Sequence, residues 1–252
     1  MSASIDSKDD TANSGSLLLS NIHKISLTSS PAATSLNLIL ASASPRRREI
    51  LDMMGLSDRY TVQPSPLDER ALQAELSGEV EPTEYARILA EKKAGALCDE
   101  LMAKQQPEKC ADTTLTTLIL GSDTIVDFEG HILEKPNDKA DAQRMLKRLS
   151  GNWHVVHTGV AVYALIGNES PKQQLMFSFT DTARVKFASL TENDIDSYIQ
   201  TEEPMDKAGS YGIQGKGGQL VECMEGDFFT VMGLPMHRLS RCLNKAILEL
   251  GF

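Results

Sequence analysis

An aspartate stands inside the apolar run Leu118–Val126 (LILGSDTIV), where a carboxylate is costly unless it is paired or holds a metal. The segment Asp127-Phe128-Glu129-Gly130 reads as a hairpin turn and His131–Lys135 as the return strand. A three-residue loop at 128–130 places Asp123 opposite Lys135, so a structural Asp–Lys pair competes with a catalytic reading. A second unusual stretch is Leu36–Leu51 (LNLILASASPRRREIL). Its apolar strand passes through Ser42, Ala43 and Ser44 into a helix, with Ser44 placed to cap it and Pro45 suited to the first helical position. Arg46, Arg47 and Arg48 then fall in the first turn, where the helix dipole disfavours cations. An external anion such as phosphate would explain them; a solvated basic turn is the plainer alternative. Lys93 lies on the apolar stripe Ala86, Leu89, Ala90, Leu97, so it either snorkels to the rim or points into a cleft. The stretch Glu203–Gly218 has five glycines in ten residues from Gly209, with Asp206, Lys207 and Gln214 among them. Such glycines admit a ligand close to the backbone, or simply make turns.

The elements around these residues alternate in type. Strands are predicted at Leu36–Ala41, Tyr60–Val62, Leu118–Val126, His131–Lys135, Val155–Leu165 and Leu175–Phe187. A terminal hairpin is expected from Leu220–Met224 and Phe228–Met232, turned at Glu225-Gly226-Asp227. Helices are expected after Pro45, from Pro82 to Leu101, from Asn137 to Leu149, after Thr191, and from Leu234-Pro235 to the end. Asp68 and Glu69 fall in a loop. Residues 1–34, rich in Ser, Thr, Asn and Asp, read as a mostly disordered tail before a domain at 35–252, with an exposed loop at 103–114.

The chain has 252 residues, 41% hydrophobic and 24% charged, as in an ordinary globular protein. A net charge of −10 argues against coating a nucleic-acid polymer, although a small polyanion can still bind where basic residues converge. No apolar run reaches the length of a membrane span. Cys98, Cys110, Cys223 and Cys242 show no metal-binding spacing and read as reduced thiols in the cytoplasm.

Taken in order, ASASPRRREIL, LAEKKA, GSDTIV, ILEKP, LSGNWHVVHTGVAV, EPMDKAGSYGIQG and VMGLP resemble the Maf family of nucleotide pyrophosphatases, over roughly residues 36–250. The resemblance implies an α/β fold related to the inosine triphosphate pyrophosphatases, with a long curved mixed sheet and two lobes flanking a cleft. It implies hydrolysis of nucleoside triphosphates with a divalent cation, Mg2+ or Mn2+. Ser42, Arg46 and Arg47 match the family's phosphate-binding loop, and Lys93 and Lys135 its two lysines. Asp123 matches the aspartate taken as general base, which also touches the metal, and Glu69 matches a metal-binding glutamate. Arg46, Thr124 and Gln214 resemble the subgroup that accepts dTTP and UTP, rather than the one acting on 7-methyl-GTP. A nucleotide-binding regulator of cell division without turnover is the alternative from another class. Relatives suggest a homodimer.

Overall fold

The computed structural model describes residues 16–25, 34–76, 78–104, 114–167 and 171–252. Among them, β1 (Thr34–Leu40), β2 (Thr61–Val62), β3 (Thr114–Phe128), β4 (His131–Leu133), β5 (Trp153–Ile166), β6 (Lys172–Phe187) and β7 (Val221–Glu225) build one sheet. Its order is β2-β1-β3-β5-β6-β7, with β4 also on β3. The helices are α1 (Pro45–Leu51), α2 (Glu69–Leu76), α3 (Pro82–Lys104), α4 (Lys139–Leu149), α5 (Glu192–Gln200), α6 (Phe228–Met232) and α7 (Met236–Glu249).

The sheet is mixed because β1 runs parallel to β2 and β3, whereas β4, β5, β6 and β7 join antiparallel. One edge of β3 pairs with β5 along Thr116–Asp127. The other edge changes partner: β1 covers it to Leu120, and β4 takes it up only at Val126. The sheet is therefore split beside Gly121–Ile125, and ligands of α/β sheets favour such switch points.

The alternation of β3 sorts its residues onto two faces. On one face, Leu118 and Leu120 join α1 and α7 in a core that includes Ile50, Leu51, Leu239 and Leu243. Further along that face, Val126 and Phe128 join α4 and α5 in a second core. Ser122 and Thr124 interrupt the apolar row between the two. The opposite face, with Ile119 and Ile125, lies under α3. Two glycines set that contact: a Cβ on Gly121 would overlap the Ala90 carbonyl oxygen, and one on Gly159 the Ala86 carbonyl. α3 thus sits almost on the backbone of β3 and β5.

Several expectations change. The β3–β4 loop is two residues, Glu129 and Gly130, both at positive φ (55° and 78°), the signature of a tight hairpin turn. Phe128 therefore faces His131, pairing ends at Val126–Leu133, and Asp123 is not opposite Lys135. Phe228–Met232 is a helix rather than a strand. The Asp227 side chain accepts from the Phe229 N–H at its start, and Gly233 (φ 119°) ends it. Ser44 precedes α1 without a side-chain cap bond, and Asp138, not Asn137, caps α4. Glu69 opens a helix instead of lying in a loop.

The tail reading fails over residues 16–25. Leu18 and Ile25 are fully buried in the first core, and Ile25 bridges to Leu36. Leu18 N–H donates to Ser240 Oγ, and Asn21 to Asn244 Oδ1. The expected loop at 103–114 lies, for 105–113, outside the described residues; α3 runs to Lys104 and β3 begins at Thr114.

Candidate active site

The split in the sheet opens into a cleft of about 300 Å³. All nine residues singled out from the sequence line it: Ser42, Arg46, Arg47, Glu69, Lys93, Asp123, Thr124, Lys135 and Gln214. They arrive from the loop after β1, the start of α1, α2, α3, β3, the segment after β4 and the glycine-rich stretch before β7.

At the centre, Lys93 Nζ lies 2.5 Å from Asp123 Oδ1 and 2.8 Å from Glu69 Oε2. The ion pair of Asp123 is thus with Lys93, delivered by the close seat of α3, and the lysine does not snorkel: it is 5% exposed. Burial works to lower the Lys93 pKa, but Asp123 and Glu69 outweigh it and hold it above its ordinary value, so the ammonium stays charged. Lys135 is exposed at the rim, free to meet a ligand.

Arg47 is buried and held from three sides. Its Nε donates to the Gly233 carbonyl (2.9 Å), one terminal nitrogen to Ser42 Oγ (2.9 Å) and the other to Thr124 Oγ1 (3.2 Å). Three of its five N–H donors are so engaged, leaving two. Burial lowers its pKa to about 10, with Asp123 opposing, which keeps it a cation at neutral pH. The Gly233 carbonyl also accepts from Ser122 Oγ, so the turn after α6 anchors both β3 and the arginine. Thr124 is itself braced by Thr158, whose hydroxyl donates to the Thr230 carbonyl. Arg46 is half-buried; burial depresses its pKa and Asp206 counters this. Arg48 is exposed and does not line the cleft.

Two buried acceptors lack a hydrogen-bond partner at this site, Asp123 Oδ2 and Gln214 Oε1. An unpaired buried acceptor is expensive, so each calls for a donor or cation supplied by a ligand. Asp123 and Glu69 supply hard carboxylate oxygens, the donor type that Mg2+ and Mn2+ take, and in this structure both close on the Lys93 ammonium. Among the described residues no cluster of three or more His, Cys, Asp or Glu could hold a metal alone.

Some contributors had no conspicuous sequence signal. Glu134 accepts from the Tyr85 hydroxyl (2.8 Å), and burial with the nearby Asp123 charge pushes its carboxyl up to about 7. Its carbonyl accepts from Gly209 N–H, tying the segment after β4 to the glycine-rich rim. Tyr85 could have been found as the buried residue two turns before Lys93 on the same stripe. Asp206 and Lys207 both line the cleft, and Lys207 Nζ also binds Asp206 Oδ1 and the Glu203 carbonyl.

A split mixed sheet, four basic side chains around two carboxylates, and a hydrogen-bonding rim define an α/β protein with a cleft built for a small polyanion. Comparison with known proteins narrows this. The chain belongs to the Maf-like protein family, which matches residues 37–246. It is 43% identical over 207 residues to a dTTP/UTP pyrophosphatase of Bacillus pumilus, covering 82% of this chain and 95% of that one. It is 42% identical over 208 residues to a human protein described as a probable bifunctional dTTP/UTP pyrophosphatase/methyltransferase. That match covers 82% of this chain and only 32% of the human protein. A solved HAM1 protein from Coxiella burnetii aligns over 86% of this chain and 100% of its own at 14% identity, with a TM-score of 0.32.

Proposed function

We propose that the chain hydrolyses dTTP and UTP to the nucleoside monophosphate and pyrophosphate. The observation that carries this reading is the meeting of Asp123, Lys93, Arg46, Arg47 and Lys135 in one cleft whose rim holds the unpartnered Gln214 amide oxygen. The relatives named dTTP/UTP pyrophosphatases supply the substrate class.

In this reading the triphosphate lies against the four cations, which overcome the net charge of −10 locally. Asp123 orients a water toward the α-phosphorus and takes its proton as the new P–O bond forms. The bond from the α-phosphorus to the bridging oxygen breaks, and pyrophosphate leaves with the electron pair, its charge held by Lys93, Arg47 and Lys135. Asp123 and Glu69 are the residues that would hold a divalent cation, which would supply further electrostatic stabilisation of that same charge. Gln214 offers an acceptor and a donor to the N3–H and O4 edge of uracil or thymine. Cytosine presents the opposite pattern at that edge and would leave the amide unpaired.

The test is pyrophosphate release from dTTP, UTP, CTP, GTP and 7-methyl-GTP, with Mg2+ or Mn2+ and with chelator. Release from dTTP and UTP, abolished by chelator, is expected. Release from 7-methyl-GTP alone would overturn the base assignment, and silence on every nucleotide from folded protein would overturn the activity. A homodimer is the proposed assembly, checked by light scattering. The cytoplasm is the proposed compartment, supported by the exposed free thiol of Cys223 and checked by fractionation. No helix among the described residues is long and apolar enough to cross a membrane.

A further inference from the structure

The rim that presents Gln214 is wound around one carboxylate outside the phosphate site. Glu203 Oε2 accepts from the Lys216 N–H (2.9 Å), and its Oε1 accepts from the Gly217 N–H (3.0 Å) and from the Tyr198 hydroxyl (3.0 Å). Tyr198 Oη in turn accepts from the Gly212 N–H (3.2 Å). Backbone amides on both sides of Gln214 therefore end on the same Glu203–Tyr198 pair. Lys207 Nζ closes the knot on the Glu203 carbonyl (2.7 Å).

The glycines follow from this winding. A Cβ on Gly215 would come 2.5 Å from Glu203 Oε1, one on Gly217 2.5 Å from Tyr198 Oη, and one on Gly212 2.7 Å from Lys207 Cε. Each of these three glycines makes room for a member of the knot. The carboxylate also gains from its partners. Burial works against its ionisation, yet the amides of Gly217 and Lys216 and the Tyr198 hydroxyl hold its pKa below the ordinary glutamate value. It is thus an anion at neutral pH, with charge-assisted bonds to the loop.

We propose that Glu203, through Tyr198, is a positioning residue for base selectivity. It fixes the backbone of the 212–217 loop, and with it the position from which the Gln214 side chain reaches the base. The inference rests on Gln214 reading the base. Selective recognition needs such support, because a loop that shifts lets the amide meet the edge of cytosine as well as that of uracil.

The experiment compares Glu203→Gln, Tyr198→Phe and Gln214→Ala with the parent protein in kcat and KM for UTP and CTP, and in inhibition by inorganic pyrophosphate. Glutamine keeps one acceptor but turns an NH2 toward a backbone N–H, and phenylalanine removes only the bridging hydroxyl. For both, KM for UTP is expected to rise about tenfold, the cost of one charge-assisted bond, with kcat little changed. The preference for UTP over CTP should shrink alongside, while inhibition by pyrophosphate, which has no base, stays as in the parent. If Gln214→Ala abolishes the preference but both other variants keep it, the role of Glu203 is overturned and the base reading stands. If Gln214→Ala leaves the preference intact, the base reading itself fails. Loss of pyrophosphate inhibition in folded Tyr198→Phe would also overturn the inference, by placing the knot's effect on the whole cleft. Should Glu203→Gln not fold, Tyr198→Phe decides in the same assays.

Discussion

At the scale of the residue, the site is made by side chains that each break a local rule, which is why they are legible in the sequence: an acid in an apolar strand, arginines at a helix start, a lysine on an apolar stripe. What is not legible is who pairs with whom. Asp123 meets Lys93, thirty positions away, because α3 sits against the backbone of β3, while one residue fewer in the β3–β4 turn takes Lys135 out of register. Replacing Asp123 with Asn removes the proton acceptor but keeps size and polarity. Turnover should fall by about 10²–10⁴, the usual worth of a general base. Nucleotide affinity measured by calorimetry should persist, and a variant with near-parental turnover would remove Asp123 from the chemistry. Arg47 tests a different property, its forked geometry. A lysine there cannot reach Ser42, Thr124 and the Gly233 carbonyl at once. Arg47→Lys should therefore lower both kcat/KM and the melting temperature, and a loss of activity alone would mean that the three bonds do not brace the fold.

At the scale of the element, the decisive contact is α3 on the sheet. The apolar stripe predicts that the helix buries a face, but nothing in it predicts how closely. Gly121 and Gly159 determine that, and in the sequence they are only small residues inside apolar runs. A methyl at either would press on a helix carbonyl, which is backbone and cannot rotate away. Gly159→Ala should destabilise the fold by about 1–3 kcal/mol, the range for overpacking. It should also draw Lys93 away from Asp123, so that activity falls further than the stability loss explains. Equal stability with parental activity would show that the seat of α3 is looser than the geometry requires. The misread hairpin at Phe228–Met232 teaches the same lesson. Phe-Phe-Thr-Val-Met favours a strand by propensity, yet Asp227 at one end and Gly233 at the other impose a helix turn, and that turn delivers the carbonyl holding Arg47.

At the scale of the whole molecule, two features bear on stability far from the cleft. Leu18 and Ile25 precede the family match yet fill the first core. Composition hides them, since a few leucines and isoleucines among serines and asparagines show no period. Leu18→Ala should cost about 2–4 kcal/mol by urea unfolding, as for other buried leucines, where a loose tail would give no change. His154 makes one contribution to the response to acid, opposed over much the same window by Glu134, whose raised carboxyl favours the protonated fold. The histidine ring is enclosed by Phe187 and Tyr211, and its Nε2 meets the Tyr211 hydroxyl at 2.8 Å. Burial alone drives its pKa from 6.5 to about 4. Between those values the unfolded chain takes up a proton that the folded protein refuses. The neutral ring's contribution is therefore complete above pH 6.5 and lost progressively as pH falls toward 4. At about 1.4 kcal/mol per unit the full loss is about 3–4 kcal/mol. Tyr211 lines the cleft, so the same protonation would loosen its wall. Unfolding free energies for the parent and His154→Gln should diverge across this window, with the shallower acid slope in the variant. Parallel slopes would mean that the carboxylates, and not this histidine, set the acid limit of the fold.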